Sequence, residues 1–404
     1  MKNLFLLLIA LVAAACAEPH LQGVPAEWHG ELDAALVASE RGEELKALLE
    51  SIDRTQRKEM AFLLIHMPEG DRKGMELELL KENVAYAHLA RERFPWAQQL
   101  PEERYLGDVL PYAVVDEVRD SWRPELYALF APEVEGCGTM HDAVQAVNSR
   151  IARLTGVEYN TLREKTNQSP RESMRQGMAS CTGLAILLVD ALRAVGIPAR
   201  FAGTAAWHDN RGNHSWTEVW LDGAWRITEY YPPKEYDHLW FMADALKASP
   251  DDRTHAIYAT RFAGGDDWFP MVWAGEEETP IGELPRWVGA ENVTQRYIDL
   301  AHKQQAHDLE AGTHTLLRIA GYRKAGQTGR SEDRVAIGVD VFRGDEQMGG
   351  GLTADKLQDM NDFFTILLPQ NTEYELRYLN GAGEPQSRRI KLGSEPARVD
   401  IFLN

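Results

Sequence analysis

The sequence predicts an α+β protein in three consecutive parts, and three changes of pattern along the chain carry that prediction. Residues 27–135 repeat their leucines at helical spacing, and residues 136–285 mix a strongly apolar helix with short runs rich in Trp, Val and Thr. Residues 290–404 hold short, spaced, strand-like runs separated by turn residues. At 404 residues the chain is too long for one ordinary core, which fits several domains.

In the first part, Leu32, Leu36, Leu45, Leu48 and Leu49 stand at helix-compatible positions, and Leu77, Leu79, Leu80, Val84, Ala87 and Leu89 continue the pattern. SWRPELYALFAPEV adds a third segment. His66 and His88 are isolated there, which fits packing or solvent exposure, so the region reads as a helical scaffold or prodomain. In the second part, MHDAVQAVNSRIARLTG is an amphipathic helix closed by Gly156. ASCTGLAILLVDALRAVGIPAR is the strongest helix of the chain, with an apolar stripe of Leu184, Leu187, Leu188, Ala191, Leu192 and Val195, ended by Gly196 and Pro198. ARFAGTAAW, HSWTEVWL and AWRITEYY then read as strands. The runs of the third part, from THTLLRIAGYRK to ARVDIFLN, predict a β-sandwich, a module that more often binds or spaces than catalyses.

Apolar and charged fractions of 44% and 26% are those of globular chains. A net charge of −19 argues against nucleic-acid or anionic-membrane partners, which it would repel. Residues 1–16, MKNLFLLLIALVAAAC, read as a signal peptide whose apolar run is too short to span a bilayer. Ala13-Ala14-Ala15 before Cys16 resembles a lipoprotein box, which makes Cys16 a candidate lipidation site. Simple cleavage after Ala15 or Ala17 fits the same residues. The mature body is therefore expected outside the cytoplasm, periplasmic or on the outer surface as a lipoprotein held through Cys16, otherwise secreted.

Of three cysteines, Cys137 and Cys181 remain after the leader, enough for one disulfide and no framework. Cys137 lies in EGCGTM and reads as an ordinary loop thiol. Cys181 falls at the start of the strongest helix, where the helix dipole and the first-turn N–H groups favour a thiolate. Its own N–H is placed to donate to a developing oxyanion. A buried, inert cysteine is the bland alternative, but Cys181 stands off the apolar stripe.

Asp222-Gly223 between two alternating runs predicts a hairpin with a two-residue type I′ turn. In that register Leu221 faces Ala224 and Trp220 faces Trp225; outward from there, Trp216 faces Glu229 and His214 faces Tyr231. Glu229 is then diagonal to His214 on the same face, within reach of a carboxylate–imidazole hydrogen bond. A slip of one residue would separate them onto opposite faces.

A cysteine at a helix start, then "LRAVGIPAR", then "HSWTEVWLDGAWR" together resemble the transglutaminase-like superfamily, over residues near 140 to 250. The resemblance implies a papain-like Cys/His/acid core flanked by the helical region and the sandwich, as in uncharacterised exported bacterial members. It implies Cys181 as nucleophile, His214 as base and a protein or peptide substrate. Glu229 stands where the family's Asp is expected, and Asp237 is the alternative partner for the base. Papain-like sites also use an upstream Gln as an oxyanion donor, which points to Gln168, a residue that reads equally well as part of a loop. Trp207, Trp216 and Trp240 could line an acyl-binding cleft or pack in the core. His208 and His238 lack metal-ligand spacing, and no metal, calcium or other cofactor is expected. One thioester intermediate serves a peptidase or amidase, a protein-glutamine transglutaminase or a deamidase, and hydrolysis ranks first because water needs no second binding site. A non-catalytic binding lipoprotein is the remaining alternative, favoured by the Glu in place of Asp and opposed by the intact Cys181 and His214.

Overall fold

The computed structural model describes residues 18–210, 212–231, 236–264, 267–274, 288–357 and 363–404. The expected leader with Cys16, and the expected boundary near residue 285, lie outside the described residues.

The front of the chain is helical: α1 (His29–Val37), α2 (Gly42–Ser51), α3 (Arg57–His66), α4 (Glu69–Gly74), α5 (Leu77–Arg93), α6 (Pro95–Gln98), α7 (Glu102–Asp108) and α8 (Trp122–Val134). Next come α9 (Met140–Thr155), β1 (Glu158–Tyr159), α10 (Pro170–Gln176), β2 (Met178–Ala179) and α11 (Cys181–Ala194). The stripe read from the sequence covers only part of what α11 buries: Thr182 to Ala194 are buried all round. The front helices cover the side that would otherwise face water, and Leu63, Val84, Phe130, Leu188 and Leu192 share one apolar core. Two buried guanidinium groups stitch the parts together. Arg123 donates to the carbonyls of Val109, Leu110, Pro111 and Arg193, and Arg193 donates to those of Asp108, Ala113 and Ala199. Carbonyls that neither helix nor sheet satisfies are thereby paired inside the core.

Against α11 lies an antiparallel sheet of order β5-β4-β3-β6-β8-β7. It is built from β3 (Ala199–Thr204), β4 (His214–Leu221), β5 (Ala224–Thr228), β6 (Ile257–Arg261), β7 (Asp267–Trp268) and β8 (Gly289–Asn292), with the short helix α12 (Met242–Ala245) between β5 and β6. The hairpin has the expected register, from Leu221 opposite Ala224 to Thr217 opposite Thr228. Asp222 and Gly223 have φ of 51° and 78°, as a type I′ turn demands at both central positions. Glu218 in β4 is fully buried and accepts from Arg200 Nε at 2.7 Å and Tyr297 Oη at 2.5 Å, and also from Arg296. Tyr297 Oη in turn accepts from Trp216 Nε1 at 2.6 Å.

Tyr297 and Arg296 belong to α13 (Thr294–Glu310), a helix that the β-rich reading of the tail missed. Its sequence is mostly polar, and it buries only Thr294, Tyr297 and Ala301, too sparse a stripe to show as periodicity. The tail then forms two sheets: β11-β10-β13-β14 and β12-β9-β15. Their strands are β9 (His314–Tyr322), β10 (Gly338–Arg343), β11 (Glu346–Leu352), β12 (Phe364–Pro369), β13 (Glu373–Leu379), β14 (Pro385–Lys391) and β15 (Ala397–Phe402). Leu317, Val339, Val341, Leu368 and Leu376 fill the space between them. This is the expected sandwich, and it is packed onto the central sheet, since Leu367 and Leu316 join a cluster with Trp207, Trp216 and Phe241. At the joint Gly349 has φ +149°, and a Cβ there would stand 2.7 Å from Ile366 Cδ1 and 3.4 Å from the Trp240 carbonyl. Only glycine suits both the conformation and the close approach. Among the described residues no helix is long and apolar enough to cross a membrane.

Candidate active site

Cys181 is the first residue of α11 because Ser180 ends the extended approach with ψ 176°. Ser180 does not cap the helix; its Oγ donates to the Thr166 carbonyl at 3.0 Å. The first-turn N–H groups therefore remain directed at whatever sits over Cys181. Gly183 lets this turn sit close to its support, since a Cβ there would approach Ala179 Cβ to 2.9 Å.

His214 opens β4, where the sheet delivers it to the thiol. Burial pushes the Cys181 thiol up, but its hydrogen bond with His214, the imidazolium charge and the Ser215 backbone N–H outweigh burial and hold it below the usual thiol value. Burial likewise disfavours charge on His214, yet hydrogen bonds to Cys181 and Glu229 push its pKa up to about 10. Both shifts favour a thiolate–imidazolium pair over the neutral one. The far side of the ring is held as well: His214 Nε2 lies 3.0 Å from Glu229 Oε1. Glu229 reaches it from just beyond the end of β5, as the diagonal geometry requires.

Trp240 plays an unexpected part. Its Nε1 donates to both Glu229 oxygens, at 3.1 and 3.0 Å, and its ring meets that of His214 edge-on at 4.9 Å. The backbone of Glu229 is fixed too, since buried Asn148 of α9 donates to its carbonyl at 2.9 Å. Neither contact has a local sequence signature; an indole N–H buried near a carboxylate is the only available hint. Trp207 and Trp216 both line the cleft and stack with ring planes 6° apart. Trp216 is also buried core, so the two readings of these tryptophans hold together.

Gln168 is not brought to the cleft. It is fully buried and its amide donates to the Met178 carbonyl at 3.1 Å, because the loop it occupies packs under the first turn of α11. Tyr159 is closer to the chemistry: pairing with Ala179 across β1 and β2 sets it beside Cys181, whose charge adds to burial in pushing the phenol pKa up. Asp237 is committed elsewhere, accepting from Ile227 N at 2.9 Å and Arg226 at 2.8 Å. Cys137 and Cys181 are both free thiols. His208, Asp209 and Asp244 converge to within 4.8 Å, a grouping with no sequence spacing to announce it. Asp209 accepts from Leu352 N at 3.0 Å and His208 faces Asp244, so the group clasps the loop before β4 to the sandwich.

The cleft has a volume of about 1170 Å³ and exposes Cys181, His214 and Glu229 along one wall. The geometry suits nucleophilic attack on a carbonyl, with the thiolate as nucleophile, the imidazolium as proton donor and a helix N-terminus beneath the developing oxyanion.

The family model of the transglutaminase-like superfamily matches residues 129–230. These residues form a transglutaminase-like domain. The match takes in α9 to β5, hence Cys181, His214 and Glu229. Among solved structures, the chain is similar to a candidate cysteine protease from Cytophaga hutchinsonii at 21% identity and a TM-score of 0.27, over 36% of this chain and 47% of that one. It is also similar to red sea bream transglutaminase at 9% identity and a TM-score of 0.27, over 73% of this chain and 64% of that one. The chain thus spans less than two thirds of either. A search of the curated proteins finds no match.

Proposed function

We propose that the transglutaminase-like domain is a cysteine acyl-transfer enzyme acting on a protein or peptide amide, with Cys181 as nucleophile, His214 as general base and acid, and Glu229 as the group that orients His214. The observation that carries this reading is the continuous chain of hydrogen bonds from Cys181 through His214 to Glu229, opening on a cleft. The thiolate attacks the carbonyl carbon and the C–S bond forms. As the C–N bond breaks, the imidazolium proton passes to the leaving amine. Water then attacks the thioester, giving its proton to His214, and the carboxylic acid departs as the thiolate is restored. Water needs no second site, so peptidase or amidase activity is the primary reading, with amine transfer or deamidation as other fates of the same thioester. The apolar leader supports export, with tethering through Cys16.

Incubation with p-nitrophenyl acetate, followed by intact-mass measurement, tests the proposal. The expected result is one acetyl group on Cys181 that water removes, and none on Cys181→Ala. Equal acetylation of the two proteins would overturn it. Monodansylcadaverine added to the acetyl-enzyme separates transfer from hydrolysis.

A further inference from the structure

We propose that the outer face of the β11-β10-β13-β14 sheet is the specificity wall of the cleft and selects peptide segments with an apolar side chain over acidic ones. The proposal rests on the reading of Cys181 as nucleophile.

The outer face of a sandwich sheet needs only to be polar where it meets water. Here that face turns toward the thiol. Register sets Phe342 opposite Glu375 and Asp340 opposite Arg377, and sets Leu379 opposite Pro385 on the next strand. All six line the same cleft as Cys181 and His214, whereas Val341 and Leu376 point into the sandwich core. The face is held in shape, because Arg377 pairs with Glu375 at 2.7 Å and lies 3.9 Å over the Phe342 ring.

Two properties of this wall define what it accepts. Leu379 is 56% exposed, and across the cleft Tyr231 and Tyr159 are 49% and 54% exposed. Large apolar side chains left open on facing walls mark a place where an apolar group is to be enclosed. The second property is sign. The lining carboxylates are Glu229, Asp340, Asp345 and Glu375, while the lining cations are His214 and Arg377. With the Cys181 thiolate added, the cleft carries surplus negative charge between two low-dielectric walls, which disfavours an acidic segment.

Removing the sandwich is no test, since Leu316 and Leu367 belong to a core shared with Trp216. The full chain is used instead, with Cys181 labelled at pH 6 by three probes: iodoacetamide, an iodoacetyl-leucyl peptide amide and its glutamyl counterpart. Leu379 and Asp345 are both exposed, so substitutions there leave the fold alone. Leu379→Ala should slow the leucyl probe about 5-fold relative to iodoacetamide, the loss expected from part of a leucine's burial. Asp345→Lys should speed the glutamyl probe roughly 3- to 5-fold, as expected for reversing one charge several ångströms away in water-like dielectric. Unchanged probe ratios in both variants, with iodoacetamide still fast, would overturn the proposal and leave the nucleophile reading standing. Slow labelling by iodoacetamide itself would overturn the nucleophile reading, and the wall would fall with it.

Discussion

Cys137 and Cys181 are the same residue in the same polypeptide, and burial pushes both thiols up. Cys137 sits in the turn between α8 and α9, where Asp142 adds to the burial effect and Arg150 only partly opposes it, leaving the thiol above its ordinary value. Cys181 has His214 on one side and the Ser215 N–H on another, and their effect reverses the sign. Enclosure alone therefore passivates a thiol; a cationic partner within hydrogen-bond reach activates it. The partner has its own support in turn, because Glu229 on the far side of the ring adds to the effect of Cys181 in raising the His214 pKa.

The largest effect that would erase this contrast is loss of the strand that delivers His214. Glu218→Ala leaves Arg200 and Arg296 beside a buried vacancy, and removing one partner of a buried ion pair costs about 3–5 kcal/mol. Its denaturant midpoint should drop accordingly, and a midpoint within error of the parent would refute this account of the Glu218 network.

Next in size is His214→Ala, which removes the partner and keeps the fold. A thiol with a pKa near 8.5 is only about 0.3% ionised at pH 6. Labelling of Cys181 by iodoacetamide at that pH should fall on the order of 30- to 100-fold, the lower intrinsic nucleophilicity of a low-pKa thiolate offsetting part of the difference. The parent supplies a second check through pH. Thiolate forms as pH rises through the depressed Cys181 value, and the imidazolium is lost only near pH 10. Between pH 6 and 8 labelling of Cys181 should climb less steeply than that of Cys137, which rises about tenfold per unit. Parallel slopes at the two cysteines would end the comparison.

The smallest effects sharpen it. Glu229→Gln keeps a hydrogen bond and removes the charge, so Cys181 labelling at pH 6 should slow by roughly tenfold. Trp240→Phe leaves Glu229 charged but less firmly aimed, and about a threefold loss is expected, the scale of one hydrogen bond's net worth. A Trp240→Phe loss exceeding that of Glu229→Gln would mean that the indole acts on the substrate rather than through Glu229.

Much of the site was legible because its geometry is local. Asp222-Gly223 sets a turn, the turn sets a register, and the register puts Glu229 diagonal to His214 before any tertiary contact is known. Cys181 is similar, since a helix start is a property of consecutive residues. Gln168 went differently because the direction of its amide depends on the packing of its loop under α11, which no spacing encodes. Trp240 lies well along the chain from Glu229, and its hydrogen bonds exist only because the segment before α12 folds back over the hairpin.

The sequence by itself determined the helical front, the central helix, the hairpin and the strand-rich tail, because side-chain periodicity and turn chemistry are written in neighbouring residues. Tertiary structure alone decided that the front helices bury the far side of α11, that sparse α13 ties Glu218 to the tail, and that the outer face of the sandwich turns toward Cys181. These are contacts between segments far apart in the chain. They form only when loop closure is offset by burial of shared apolar surface, which is a property of the whole core rather than of any one stretch.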